Sequence, residues 1–194
     1  MAGSSGALRA GIYGANVPVV AVLVGLQASG KTTFCQRMLG SGFVVVSKAH
    51  FRHARHPQRR QMHLVEEALS AGRDVVVDNT NPSPQEWAPL IDAARAHGAR
   101  VVAYWFPPDL AGSLQRNAAR PDRARIPEVA LRATLARLLR PRVRDGFDEV
   151  FAVEFDGSGG FIVRPAGEEG DGGESAYSEG NGPIGREAPG SPQA

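Results

Sequence analysis

Four residues carry the strongest chemical pattern in the chain. Gly25, Gly30, Lys31 and Thr32 stand in the spacing G-x-x-x-x-G-K-[ST] within Gly25-Leu26-Gln27-Ala28-Ser29-Gly30-Lys31-Thr32, and Thr33 follows directly. Each residue type has a physical reason. The glycines let backbone N–H groups wrap a phosphate, the lysine sets a cation against β and γ oxygens, and the threonine hydroxyl is a magnesium ligand. A helix starting here aims its positive end at the same phosphates. Such a loop is meaningful when it leaves a buried strand and opens a helix. Val19 to Val24 is an unbroken apolar run ending at Gly25, and Lys31 to Leu39 reads as a helix closed by Gly40. The pattern implies a phosphotransferase that binds ATP with Mg2+.

Two further groups belong with that loop. Asp78 ends the apolar run Val75-Val76-Val77. Beside a phosphate loop, an aspartate in that place holds magnesium directly or through water, although strand ends also favour Asp and Asn as turn residues. Arg116, Arg120, Arg123 and Arg125 gather around a break between two helical patterns at Pro121 to Arg125. Such arginines suit a lid that closes over a transferring phosphoryl group. Trp87 and Trp105 are candidates for stacking a base, Trp105 also fitting a buried strand end.

The elements that position these residues follow from punctuation and period. Strands are predicted at Val19–Val24, Phe43–Ser47, Asp74–Asp78, Arg100–Trp105 and Glu149–Phe155, with Phe161–Arg164 able to pair with the last. Helices are predicted at Gln58–Ala71, from a Ser83 N-cap with Pro84 and a Glu86 capping box to about Ala96 with Pro89 as a kink, at Leu110–Ala119, and from Pro127 to about Arg140. Alternating strands and helices give an α/β fold: three layers, a mainly parallel five-stranded sheet with helices on both faces, and an Arg-rich lid. The expected organisation is a flexible tail over 1–16, the domain over 17–165, and a disordered acidic Gly/Pro-rich tail over 166–194.

Composition is ordinary for a globular protein, at 42% apolar and 22% charged residues. Cys35 is the single cysteine, so no intramolecular disulfide forms; a reducing, cytoplasmic setting is the expectation. The longest apolar run falls far short of the ~20 residues that span a bilayer, so no membrane partner is expected. Residues 166–194 carry six acids against Arg186, a net of −5, which leaves +7 on the rest of a chain whose total is +2. That positive field suits polyanions, nucleotide or nucleic acid.

Gly25–Thr33, Ser47–Arg52, Asp78-Asn79-Thr80-Asn81-Pro82, the Arg116/Arg120 pair and Gly146-Phe147 together resemble the polynucleotide 5′-hydroxyl kinase family, in particular the kinase domain of polynucleotide kinase/phosphatases. The likeness runs from about Val17 to Phe155. It implies a P-loop kinase sheet and transfer of the ATP γ-phosphate to a nucleic-acid 5′ end, as in end repair. By that resemblance Lys31, Arg116 and Arg120 are catalytic, with Arg120 also on ATP. Thr32 and Asp78 hold the metal, and Arg52, Asn79 and Thr80 contact the acceptor. No Asp-x-Asp-x-Thr phosphatase motif occurs.

One position departs from the family. In Ser47-Lys48-Ala49-His50-Phe51-Arg52, Ala49 stands where the related kinases carry the aspartate that accepts the proton of the attacking hydroxyl. His50 is adjacent. Two other readings therefore stand beside the first: a kinase of a small hydroxylated molecule, and an ATP-binding module with weakened catalysis.

Overall fold

The computed structural model describes residues 17–167; the tail expected over 1–16 and residues 168–194 of the acidic tail lie outside the described residues. Strand β1 (Val19–Val24) is buried along its whole length. Its neighbours on the two sides are β3 (Asp74–Val77) and β4 (Arg100–Trp105). With β2 (Phe43–Val46), β5 (Glu149–Phe155) and β6 (Phe161–Pro165) the sheet order is β2-β3-β1-β4-β5-β6. Both edges of β1 are paired, Val22 with Val77 and Val24 with Trp105, so its apolar run has no need to alternate.

Successive residues of β1 feed two cores. Val20, Val22 and Val24 face α2 (Pro57–Ser70) and α3 (Pro84–Ala96) through Val65, Leu69, Trp87 and Leu90. Val19, Ala21 and Leu23 face the other layer through Phe34, Leu39, Tyr104 and Phe151. There the Phe34 ring lies 5.0 Å from that of Tyr104. Strands β2 (Phe43–Val46) and β5 (Glu149–Phe155) complete the parallel part, and α4 (Leu110–Ala118) and α5 (Glu128–Leu135) pack on each other beyond it.

Several expectations change in detail. The sheet has six strands, because β6 (Phe161–Pro165) pairs antiparallel with β5 from Phe155↔Phe161 to Phe151↔Pro165. Ala166 extends that contact by donating to the Val150 carbonyl at 2.8 Å. The helix after the phosphate loop is α-helical only over α1 (Lys31–Phe34) and winds on as a π-helix over Cys35–Leu39. The wider turn leaves Phe34, Cys35 and Leu39 buried together while Gln36 and Arg37 face out. The last helix ends at Leu135 rather than near Arg140, since tighter turns follow and the Leu139 N–H is drawn to the Pro82 carbonyl at 2.8 Å. Helix α3 runs unbroken through Pro89, which lies in its second turn.

Ser83 makes no backbone cap to α3; its hydroxyl lies instead against Gln85 Oε1, at 2.7 Å, and Glu86 Oε2. Trp87 and Trp105 are both core, Trp87 only 1% exposed with its ring 5.9 Å from Phe147, so neither can stack a base.

The connection after β3 is held by Asn81. Its Nδ2 donates to the Leu23 carbonyl at 2.8 Å and reaches the Val77 carbonyl at 3.4 Å, bridging the ends of β1 and β3. Its φ of 41° is left-handed, a conformation asparagine tolerates better than most residues. Asn81→Ala should cost ~1–3 kcal/mol, since two buried carbonyls lose their donor. Asn81→Asp should cost more, because a carboxylate would face those carbonyls. Urea unfolding midpoints of the two variants check both the loss and its order.

Candidate functional site

All of the loop that leaves β1 lies at the carboxyl edge of the sheet. Leu26 is fully buried and anchors it in the core, while Gln27 Nε2 ties its crest to Thr134 Oγ1 of α5 at 2.8 Å. Ala28 has a left-handed φ of 58°, a strained choice for a residue with a Cβ. The strain is held from outside, because Arg116 Nε donates to the Ala28 carbonyl at 2.7 Å. Gly30 has φ 95°, and a Cβ there would sit 2.8 Å from the Phe155 ring. Glycine is required at that position on both counts.

Lys31 turns back into the loop. Its Nζ donates to the Gly25 carbonyl at 3.0 Å, to Ser29 Oγ at 3.1 Å and to the Leu26 carbonyl. Burial pulls its pKa down to about 8; Asp78 opposes the shift and Arg120 adds to it. The ammonium is thus a buried charge supplied with oxygen partners by the loop itself, a charge ready to meet an anion.

Thr32 faces the loop after β3. Its Oγ1 donates to Asp78 Oδ2 at 2.7 Å, and Ser47 Oγ donates to the Asp78 carbonyl at 2.8 Å. A hydroxyl and a carboxylate so placed are hard oxygen donors of the kind magnesium takes alongside phosphate and water. Among the described residues no group of three or more His, Cys, Asp or Glu is placed to hold a metal ion.

A cleft of about 790 Å³ opens over this loop. Gln27 to Thr33 form its floor, and one wall carries Ser47, Lys48, Ala49 and Asp78 to Asn81. Asn79 is engaged within that wall: its Oδ1 accepts the Lys48 N–H and its Nδ2 donates to Gln61 Oε1, both at 2.9 Å. The Thr80 carbonyl accepts the Gly25 N–H at 3.0 Å.

The opposite wall carries Arg116, Arg120 and Phe155. Arg116 is held by the Ala28 carbonyl, by Asp109 Oδ2 at 3.2 Å and over the Phe155 ring at 4.9 Å. The Arg120 guanidinium makes no hydrogen bond or ion pair among the described residues and lies near enough to Lys31 to disfavour its charge. The loop beyond is clamped by Asn117, which donates to the Ile126 carbonyl at 2.7 Å and accepts the Ile126 N–H at 3.0 Å. Arg125 caps the end of α4 through the Ala118 carbonyl at 2.9 Å and pairs with Asp122 at 3.2 Å; neither it nor Arg123 lines the cleft.

Arg52 and His50 are exposed and also lie outside the cleft lining, whereas Ala49 lines it. Three lining residues, Glu86, Ile126 and Phe155, had no chemical signal in the sequence. Phe155 reads there as a strand residue, and Glu86 reads as a capping-box carboxylate.

A family model described as an AAA domain matches residues 20–142. The gluconokinase from Sinorhizobium meliloti 1021 is 18% identical at a TM-score of 0.53, over 72% of this chain and 83% of that one. Chaetomium thermophilum Kti12, solved in complex with ADP-AlF3, is 17% identical at a TM-score of 0.57, over 71% of this chain and 89% of that one. A chain of the Pnkp1/Rnl/Hen1 RNA repair complex is 20% identical at a TM-score of 0.54, over 66% of this chain; the match spans under half, 46%, of that protein. What is shared with all three is the fold. No helix among the described residues is long and apolar enough to cross a membrane.

The displaced Lys31 pKa has a consequence for stability. Unfolded, Lys31 keeps its proton to about 10.5, and folded only to about 8, so the charged form opposes folding at neutral pH. That opposition fades as pH rises between the two values and amounts to about 3 kcal/mol. Lys31→Met removes the titration. The melting temperature of the ligand-free wild type should therefore improve relative to Lys31→Met between neutral pH and about pH 10. A difference independent of pH would show an ordinary lysine.

Proposed function

The chain belongs to the AAA domain family, and on that footing we propose that it is an ATP-dependent phosphotransferase that moves the γ-phosphate to the 5′-hydroxyl end of a nucleic acid. The observation that carries this reading is the buried Lys31 ammonium, enclosed by the loop Gly25–Thr32 and opening on a cleft that also holds the Thr32–Asp78 pair.

ATP enters with its β- and γ-phosphates over the loop. Lys31 exchanges carbonyl partners for phosphate oxygens, and backbone N–H groups from Gly30 to Thr33 meet the β-phosphate. Thr32 and Asp78 would hold magnesium, which would supply neutralisation of the charge on the transferring phosphate. Arg116 keeps the loop in its left-handed turn at Ala28, a bracing part made by its contacts. Arg120, unengaged, is the arginine free to meet charge on the transferring phosphoryl group. The acceptor hydroxyl approaches from the wall of Lys48, Ala49 and Asn79.

The acceptor reading rests on the resemblance carried by Asp78 to Pro82 and on the basic field of the domain. A second reading, a small polyol as acceptor, is favoured by one observation: Arg52, which would grip an acceptor phosphate, lies outside the cleft lining. Transfer of labelled γ-phosphate to 5′-hydroxyl DNA, 5′-hydroxyl RNA and a panel including D-gluconate separates them. ATP binding without transfer to any of these would leave only the binding-module reading.

Two variants test the roles. Lys31→Ala should abolish ATP binding measured by calorimetry with magnesium. Arg120→Ala should lower kcat by ~10³-fold with little change in ATP affinity, as befits an arginine that acts on the transition state. Loss of ATP binding in Arg120→Ala, with kcat maintained at saturation, would put that side chain on the ground state instead.

A further inference from the structure

The cleft offers a carboxylate from an unexpected element. We propose that Glu86 accepts the proton of the attacking hydroxyl, in the place that Ala49 leaves without a base. This rests on the kinase reading above.

Among the described residues lining the cleft, Asp78 and Glu86 are the only carboxylates. Asp78 is committed to Thr32, on the nucleotide side. Glu86 shares the cleft with Lys48 and Ala49, on the acceptor side. His50, the neighbour of Ala49 in sequence, does not line it.

Glu86 is placed rather than free. It stands in the first turn of α3, where its N–H donates to the Ser83 carbonyl at 3.0 Å. Its Oε2 lies against the hydroxyl of buried Ser83, and its Oε1 is 3.7 Å from Arg137 Nη1. The side chain is 23% exposed, so it meets the cleft while its stem is covered. Lys48 is the cation facing it: burial pulls the Lys48 pKa down and the Glu86 charge opposes that pull. Lys48 and Arg137 thus flank the carboxylate from two other segments.

The step balances simply. The acceptor oxygen forms its bond to the γ-phosphorus, the bond from phosphorus to the β–γ bridging oxygen breaks, and that electron pair leaves with ADP. The hydroxyl proton passes to the Glu86 carboxylate, which returns it to water after the product departs. Because the proton moves late in a loose transition state, a base reaching from α3 has to meet it only as the bond forms.

The test uses the full chain with 5′-hydroxyl DNA and D-gluconate as the acceptor probes, in wild type, Glu86→Gln, Ala49→Asp and the double variant. Glu86→Gln should lower kcat by ~10²-fold, leave the ATP affinity from calorimetry within about twofold, and erase the acid limb of the kcat–pH profile. Ala49→Asp in the Glu86→Gln background should restore at least ~10-fold, because it supplies a replacement carboxylate in the same cleft. A purely structural Glu86 would change melting and not the pH profile; Glu86→Asp, which keeps the carboxylate, should keep the limb. An unchanged kcat and profile in Glu86→Gln overturns the assignment. So does a wild type that binds ATP yet transfers to neither probe, whatever Ala49→Asp then restores. A wild type that binds no ATP overturns the kinase reading itself.

Discussion

The Gly25 N–H donates to the Thr80 carbonyl, and Thr32 donates to Asp78, so the loop after β1 and the loop after β3 form one hydrogen-bonded unit. The rest of the site depends on that junction. It exists because β1 and β3 are adjacent and parallel, with Val22 in register with Val77, so both strands deliver their next residues to the same edge. Parallel pairing leaves the two loops side by side, at the end where open α/β sheets collect their ligands. Asn81 then fixes the spacing by bridging carbonyls of both strands.

The loop is held in shape before any ligand arrives, and its supports come from outside it. Phe155 lies where a Gly30 side chain would be, Arg116 holds the Ala28 carbonyl, and Gln27 reaches Thr134. These come from β5, α4 and α5, all later in the chain than the loop. A left-handed alanine costs something like 1 kcal/mol on its own, and a carbonyl held by a guanidinium is a sufficient counterweight. Lys31 completes the arrangement by satisfying the carbonyls that such a tight loop turns inward. Ligand binding is then an exchange of partners at one buried ammonium rather than the folding of a loop.

How much of this could be read from the sequence depended on whether the signal was local. The buried strand, the glycine spacing and the helix start are local, and β1, the loop and the helix start at Lys31 lie where those residues put them. The π-winding over Cys35–Leu39 was not legible, because it answers to how Phe34 and Leu39 seat on the sheet. On sequence alone Trp87 is a candidate for stacking a base; in the fold it is buried, with its ring against Phe147, sixty residues away in the chain. Glu86 was legible only as a helix-start residue. Its presence in the cleft follows from the junction of the two loops, which carries the first turn of α3 to the cleft rim.

The residues that give the sequence its most specific likeness turn out to be engaged mainly with the protein itself. In Asp78 to Pro82, Asp78 meets Thr32, Asn79 meets Lys48 and Gln61, the Thr80 carbonyl meets Gly25, Asn81 meets Leu23, and the Pro82 carbonyl meets Leu139. Those bonds preserve the junction beneath any acceptor, so the string speaks to how the site is built more than to what it receives. In the proposed reaction, discrimination between acceptors would fall to side chains that the junction leaves unspent. On the acceptor wall these are the Lys48 ammonium and the face left open by Ala49, with the Glu86 carboxylate opposite Lys48. Lys48 offsets only one of the two cleft carboxylates, Asp78 and Glu86, so an aspartate at position 49 would add a third negative charge there. In the proposed reaction, alanine at position 49 would do two things at once: withhold a base, and spare an incoming phosphate backbone that added repulsion.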